Sequence, residues 1–253
     1  MTKYGIQMYS LRDLTKLDLK AALHAVADMG YKYVEFAGFF DNSAEDVRAW
    51  LDEYGLVASG THTGFSALSD ENFDATVKYH KTIGCTNIIV PSANWKSAED
   101  LEANVSAFNK LHAKLLGEGI TLGYHNHSSE FYTTPYGKIV EDELYARTSV
   151  MLEIDTFWLF NAGIDPVPYL EAHKDRISVI HLKDGIVNVT GSFENAHVGA
   201  VGKSLGGGVA PIAAVREWAL KNGVVMVVES EGLDPTGTEE VKRCIDYLGT
   251  LEA

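Results

Sequence analysis

Two hydrophobic periods alternate along this chain. Short, nearly continuous apolar runs are followed by stretches in which apolar residues recur every three or four positions, and glycine often separates the two. The first run is Gly5-Ile6-Gln7-Met8-Tyr9-Ser10, and Leu19, Ala22, Leu23, Val26 and Met29 then fall on one helical face closed by Gly30. Tyr33 to Phe36 reads as a second strand, with a helix from Ser43 to Tyr54 stopped by Gly55. The third strand runs from Leu56 to His62, and Asp70 caps a helix through Ile83. Asn87 to Val90 is a strand ended by Pro91, and Ser97 opens a long helix with Leu101, Val105, Phe108, Leu111 and Leu115 on its apolar face. Further strands end at His125, Asp155, His181 and Glu229, with helices predicted over 137–147, 165–174, 209–222 and from Thr236 or Thr238 through Leu251. A long irregular, glycine-rich segment, 184–208, follows the seventh strand.

Strands alternating with helices imply a parallel sheet, and strands that are apolar throughout are buried on both faces. Eight such units over 1–253, without a linker or compositional break, predict one α/β domain closed as a (β/α)8 TIM barrel. The turn after the first strand lacks the glycine fingerprint of a dinucleotide-binding sheet.

In such a barrel, chemistry collects at the C-terminal ends of the strands. Gln7, Glu35, His62, His125, His127, Asp155, His181 and Glu229 stand at or near those ends. Side chains two apart on a strand share a face, so His125 and His127 point the same way, and each ring needs a hydrogen-bond partner or a metal. Taken singly, Asp155 reads as a turn cap, Glu229 as an ion-pair partner and His181 as a satisfied core histidine. Taken together, each closing a strand, they form a divalent-metal set suited to manganese, magnesium, zinc, cobalt or iron(II). Lys183, two residues past His181, is a candidate substrate-oxygen contact or a solvated loop lysine. Glu35 and His62 are candidate pocket residues or a structural pair. Trp158 offers a ring to stack on a sugar, although core packing is the commoner use. The glycines from Gly199 to Gly208 permit a mobile loop over the site, and turn geometry explains them equally well.

The formal net charge of -14 argues against nucleic-acid or anionic-membrane partners. Two distant cysteines, Cys85 and Cys244, fit reduced buried thiols. With neither a signal-peptide pattern nor a bilayer-length apolar run, the expected location is cytoplasmic.

At the strand ends the sequence resembles the sugar phosphate isomerase/epimerase superfamily, the xylose isomerase-like TIM barrels. The marks are Gly5-Ile6-Gln7-Met8-Tyr9-Ser10-Leu11-Arg12-Asp13, Tyr124-His125-Asn126-His127-Ser128-Ser129-Glu130-Phe131, Leu152-Glu153-Ile154-Asp155-Thr156-Phe157-Trp158, His181-Leu182-Lys183-Asp184 and Val228-Glu229-Ser230-Glu231. The resemblance implies one divalent metal held by four strands, with Asp155, His181 and Glu229 as three ligands. The family's strand-five Glu position falls on Gly123, so the fourth ligand here is Glu130 reaching back, or one of His125 and His127. Tyr-His-x-His is similar to the branch of inositol-catabolism dehydratases and 3-keto-glycoside enzymes. The resemblance implies a metal-dependent isomerase, epimerase or lyase that removes a proton beside a carbonyl, with His125, His127, Glu229 and Lys183 as candidate catalytic groups and a sugar, keto-sugar or cyclitol as substrate. A homo-oligomer is compatible with such a barrel. Two other readings compete: an endonuclease IV-like nuclease, disfavoured by the charge and by Trp158 where a further ligand would stand, and a non-catalytic sugar-binding barrel.

Overall fold

The predicted apolar runs pair side by side in parallel and close on themselves. The structure, a computed structural model, describes residues 2–188 and 190–252. Its strands are β1 (Gly5–Gln7), β2 (Tyr33–Phe36), β3 (Val57–His62), β4 (Asn87–Val90), β5 (Thr121–His125), β6 (Met151–Asp155), β7 (Ile177–Leu182), β8 (Asp184–Ile186), β9 (Val201–Lys203) and β10 (Val225–Val228). The closed barrel runs β1-β10-β7-β6-β5-β4-β3-β2, while β8 and β9 form a separate antiparallel hairpin. Closure leaves the barrel no free edge, because β1 pairs with both β2 and β10.

The helices are α1 (Arg12–Thr15), α2 (Leu19–Asp28), α3 (Ala44–Tyr54), α4 (Phe73–Ile83), α5 (Ala98–Gly117), α6 (Val140–Arg147), α7 (Thr156–Asn161), α8 (Pro166–His173), α9 (Ile212–Asn222) and α10 (Gly237–Thr250). Their starts follow the chemistry of orphan N–H groups. Ser43 and Thr236 accept from backbone N–H groups at the starts of α3 and α10, and Ser97 closes a capping box with Asp100 on α5. α5 buries Leu101, Val105, Phe108, Leu111 and Leu115. Each such burial contributes about 1.5–3 kcal/mol, and the five together outweigh the modest propensity of an isolated helix.

Some boundaries differ from the sequence reading. Asp70 does not cap α4, which starts at Phe73; its carboxylate instead pairs with Lys110 and Lys114 at 3.1 and 3.0 Å. Gly137 sits in a turn at φ +80, and α6 begins at Val140. β1 stops at Gln7 and continues as a 3-10 turn, Met8–Leu11. The segment 184–208 carries the β8–β9 hairpin, and its last part is anchored: the Asp184 carboxylate accepts N–H bonds from Gly206, Gly208 and Ala210. A Cβ on Gly208 would lie 2.2 Å from Asp184 Oδ1, so close approach, rather than mobility, accounts for that glycine. Among the described residues no helix is long and apolar enough to cross a membrane.

Candidate active site and metal centre

The parallel register puts the ionisable strand ends in one layer. Gln7 lies beside Glu35, His125 beside Glu153, and Asp155 beside His181. Register shifts fall immediately before Glu35 and immediately before Glu153. Irregularities of this kind re-aim a side chain, and both carboxylates reach the buried cluster. Gly60 in β3 makes room for the first: a Cβ there would meet Glu35 Oε2 at 2.9 Å.

The cluster is a ring of imidazoles interleaved with carboxylates. Glu35 Oε1 accepts from Gln7 Nε2 at 2.7 Å and lies 2.8 Å from His181 Nε2 and 3.2 Å from His62 Nε2. Glu153 Oε1 lies 2.9 Å from His62 Nε2, 3.1 Å from His181 Nε2 and 3.2 Å from His125 Nδ1. On the other side of the ring, His181 Nδ1 faces Glu229 Oε2 at 3.2 Å. Lys183 is buried beneath, 3.4 Å from Glu229, 3.7 Å from Asp155 and 3.1 Å from Glu231, with its ammonium 4.6 Å from the Trp158 ring centroid.

Burial and mutual charge set the ionisation of these groups. Burial raises the Glu35 and Glu229 carboxyls, but their cationic neighbours outweigh it: His181 and His62 for Glu35, Lys183 and His181 for Glu229, so both sit well below the ordinary range. Burial pushes Asp155 up to about 7, Lys183 opposes the shift and Glu229 adds to it. Burial lowers the His62 ring, yet Glu35 and Glu153 lift it to about 9. His125 is held well below its usual value by burial and by the charge of His181 and His62.

Among the described residues, two overlapping groups have donor atoms close enough to hold a metal ion: His62, His125, Glu153 and His181, and His125, Asp155, His181 and Glu229, with all donors of a group within 4.8 Å of one another. Three buried carboxylate oxygens of the cluster, Glu35 Oε2, Glu153 Oε2 and Asp155 Oδ2, have no hydrogen-bond partner among the described residues. An unpaired buried carboxylate oxygen is costly, and a cation relieves that cost. The residues therefore fit a divalent ion. The second group fits better, because Glu35 and Glu153 already occupy His181 Nε2, and Glu153 occupies His125 Nδ1. Outer carboxylates of this kind fix the ring tautomer and leave the opposite nitrogen, His181 Nδ1 and His125 Nε2, for the ion.

The structure brings together Asp155, His181 and Glu229, as the sequence reading expects, and supplies His125 as the fourth corner. Glu130 is in neither group. The 3-10 turn Ser129–Phe131 carries its carboxylate away, where it accepts from Tyr124 Oη at 2.7 Å, Ser129 Oγ at 2.7 Å and the His127 N–H at 3.2 Å. His125→Ala is accordingly expected to lose most bound metal and Glu130→Gln to keep it, as elemental analysis of the purified variants would read. Glu35, one of the two candidate pocket residues, is fully buried behind the imidazoles, whereas His62 reaches the open cavity. Trp158 lies beneath Lys183 rather than on the cavity wall.

Two residues escaped the sequence reading. Glu153 stands two before Asp155 in β6 and shares its face, so strand alternation alone could have found it. His197, from the segment after β8, packs against Trp158 at 4.7 Å and His127 at 5.5 Å between ring centroids. No spacing rule reaches across that segment. Above the cluster opens a cavity of about 390 Å³ whose walls include Tyr9, His62, Ser92, His125, His127 and Glu229.

A family model described as xylose isomerase-like TIM barrel matches residues 23–249. A curated inosose dehydratase from Geobacillus kaustophilus (strain HTA426) is 28% identical over 186 residues, 64% of this chain; the match spans 60% of that relative's length. The solved structure of a sugar phosphate isomerase/epimerase from Parabacteroides distasonis ATCC 8503 superposes with a TM-score of 0.79 at 24% identity, covering 97% of this chain and 93% of that one. That of a probable 3-DHS dehydratase from Bacillus anthracis superposes with a TM-score of 0.75 at 13% identity, covering 98% and 99%. At these identities the structural likenesses establish the fold.

Proposed function

Because the chain belongs to the xylose isomerase-like TIM barrel family, we propose that it is a divalent-metal-dependent hydro-lyase acting on a keto-sugar or keto-cyclitol. The observation that carries this reading is the set His125, Asp155, His181 and Glu229, with an orphaned Asp155 oxygen and with outer carboxylates orienting both imidazoles. The name of the curated relative supports the choice of elimination over isomerisation. Bound there, a divalent cation supplies a Lewis acid that polarises a carbonyl and stabilises charge beside it.

The chain's own residues divide the remaining work. His127 lines the cavity, lies outside both ligand groups, and has no hydrogen-bond partner on its ring nitrogens among the described residues. Its imidazole takes the proton from the carbon beside the carbonyl. The electron pair of that C–H bond passes into the substrate enolate, and its return expels the hydroxyl one carbon further on. His62, tied at Nε2 to Glu153 and Glu35, donates from Nδ1 the proton with which that hydroxyl leaves as water. Lys183 keeps Glu229 ionised.

The test is incubation with 2-keto-myo-inositol in deuterated water after loading with manganese or cobalt. Expected are a new enone absorbance and, as that enol ketonises, one deuterium at the carbon that lost the hydroxyl, both reduced at least about 100-fold in His127→Ala. Deuterium uptake without the enone would replace the lyase by an isomerase or epimerase. Neither signal on this or other keto-sugars would sink the proton-abstraction mechanism and favour a binding protein.

A further inference from the structure

A second cavity of about 560 Å³ opens beside the reaction site, and the chemistry above makes no use of it. The two cavities share His62, and the wall of one passes into the wall of the other at the consecutive residues Ala37 and Gly38. We propose that this compartment is a subsite for an aromatic substituent carried on the sugar or cyclitol, so that the substrate is a two-part molecule of the aryl glycoside class. The inference rests on the reading of the first cavity as a keto-sugar site.

Chemistry of the wall selects the occupant. Phe39 and Tyr79 pack with ring centroids 4.1 Å apart, and Ala67 and Ala75 complete an apolar surface. Most of the polar side chains present are already committed, the Ser66 hydroxyl and His62 Nδ1 excepted. Asn72 Nδ2 donates to Ser66 O at 3.0 Å, Thr76 Oγ1 to Ala67 O at 2.6 Å, and Tyr79 Oη to Asn42 O at 2.8 Å. His80 is engaged at both nitrogens, with Thr76 O and Thr61 Oγ1, each at 2.7 Å. A subsite built for a second sugar would leave such groups free to bond hydroxyls. No Lys or Arg stands among the lining residues, which argues against a phosphate.

The loop forming the wall is also held in an uncommon conformation. Gly38 lies at φ +105, and the non-glycine residues Phe40 and Asp41 lie at φ 51 and 60. Backbone of this kind persists where the surroundings require it, and it is over-represented at ligand clamps. Here it places the Phe39 ring against Tyr79.

Calorimetric titration of the metal-loaded and metal-free chain with phenyl and methyl β-D-glucopyranoside, and with phenol alone, tests this. The phenyl glycoside is expected to bind at least about tenfold more tightly than either of the others, the return on burying one ring. Ala75→Trp, on an exposed position of α4 that lines the cavity, is expected to bring the phenyl-to-methyl ratio to about one. Equal affinity of the two glycosides, a ratio untouched by Ala75→Trp, binding no tighter than phenol, or no binding at all would each overturn the inference. Deuterium exchange on the unsubstituted keto-cyclitol reports separately on the first cavity, so failure of this inference is distinguishable from failure of that reading.

Discussion

Asp155→Asn is expected to strip the protein of metal and of turnover while leaving the barrel folded. The two oxygens of this side chain have different tasks. Oδ1 caps α7, accepting from the Phe157 and Trp158 N–H groups at 2.9 Å each. Oδ2 is buried, has no hydrogen-bond partner, and lies 3.7 Å from the Lys183 ammonium. Asparagine is an equally good N-cap, so the amide oxygen keeps the first task at a cost well under about 1 kcal/mol. It cannot perform the second, because an amide NH2 offers no lone pair to a cation. Loss of a direct ligand should exceed the roughly 10–100-fold affinity loss that follows removal of an outer partner. Elemental analysis after equilibration with manganese, zinc or cobalt should show about one ion per wild-type chain and almost none in the variant. Melting temperatures of the two metal-free chains should agree within a few degrees. Full occupancy in Asp155→Asn would move the metal to the other group, the one containing Glu153 and His62.

Glu141→Gln is expected to stabilise the protein, increasingly so as pH rises from 5 to 8. Glu141 is 1% exposed, and its Oε2 has no partner. Burial first, then the charges of Glu130 and Asp142, push its carboxyl up to about 8, against the pull of Arg176. The folded chain therefore keeps a proton that the unfolded chain releases at its ordinary value, near 4.5. Below that value both states are protonated, and the group contributes its full stability. Between about 4.5 and 8 the unfolded state binds fewer protons, and stability falls by about 1.4 kcal/mol per pH unit. Across the window the loss is on the order of 3–5 kcal/mol, and above it the curve is flat again. Glutamine has nearly the same shape and no charge to release. The Tm difference between variant and wild type should grow by roughly 6–15 °C from pH 5 to pH 8, by scanning calorimetry on the metal-free chains. Parallel melting curves at the two pH values would show that Glu141 is ionised in the fold.

Much of this architecture was legible along the chain. Apolar runs located all eight barrel strands, and the period of the intervening stretches located the major helices, because a strand buried on both faces and a helix buried on one leave different marks. The buried imidazole–carboxylate cluster was legible for a related reason. Asp155, His181 and Glu229 each close an apolar run, where a charged group is out of place unless something answers it. His125 followed from its place at the end of β5, whereas His127 lies two residues further on, past the strand. Alternation applied to β6 would have paired Glu153 with Asp155. Glu130 misled because proximity in sequence passed for proximity in space, whereas the turn after β5 directs it to Tyr124.

What the sequence by itself determined is therefore the class of fold, the layer in which the ionisable cluster sits and most of the groups that form it. All three follow from periodicity and from the cost of burying charge. Which imidazole meets which carboxylate was decided only by the tertiary structure. That choice depends on register between strands far apart in the chain, and on irregularities beside Glu35 and Glu153 that no local pattern encodes. The aromatic compartment beside His62 likewise exists only once the loop after β2 folds against α4, because a cavity is a property of surfaces brought together.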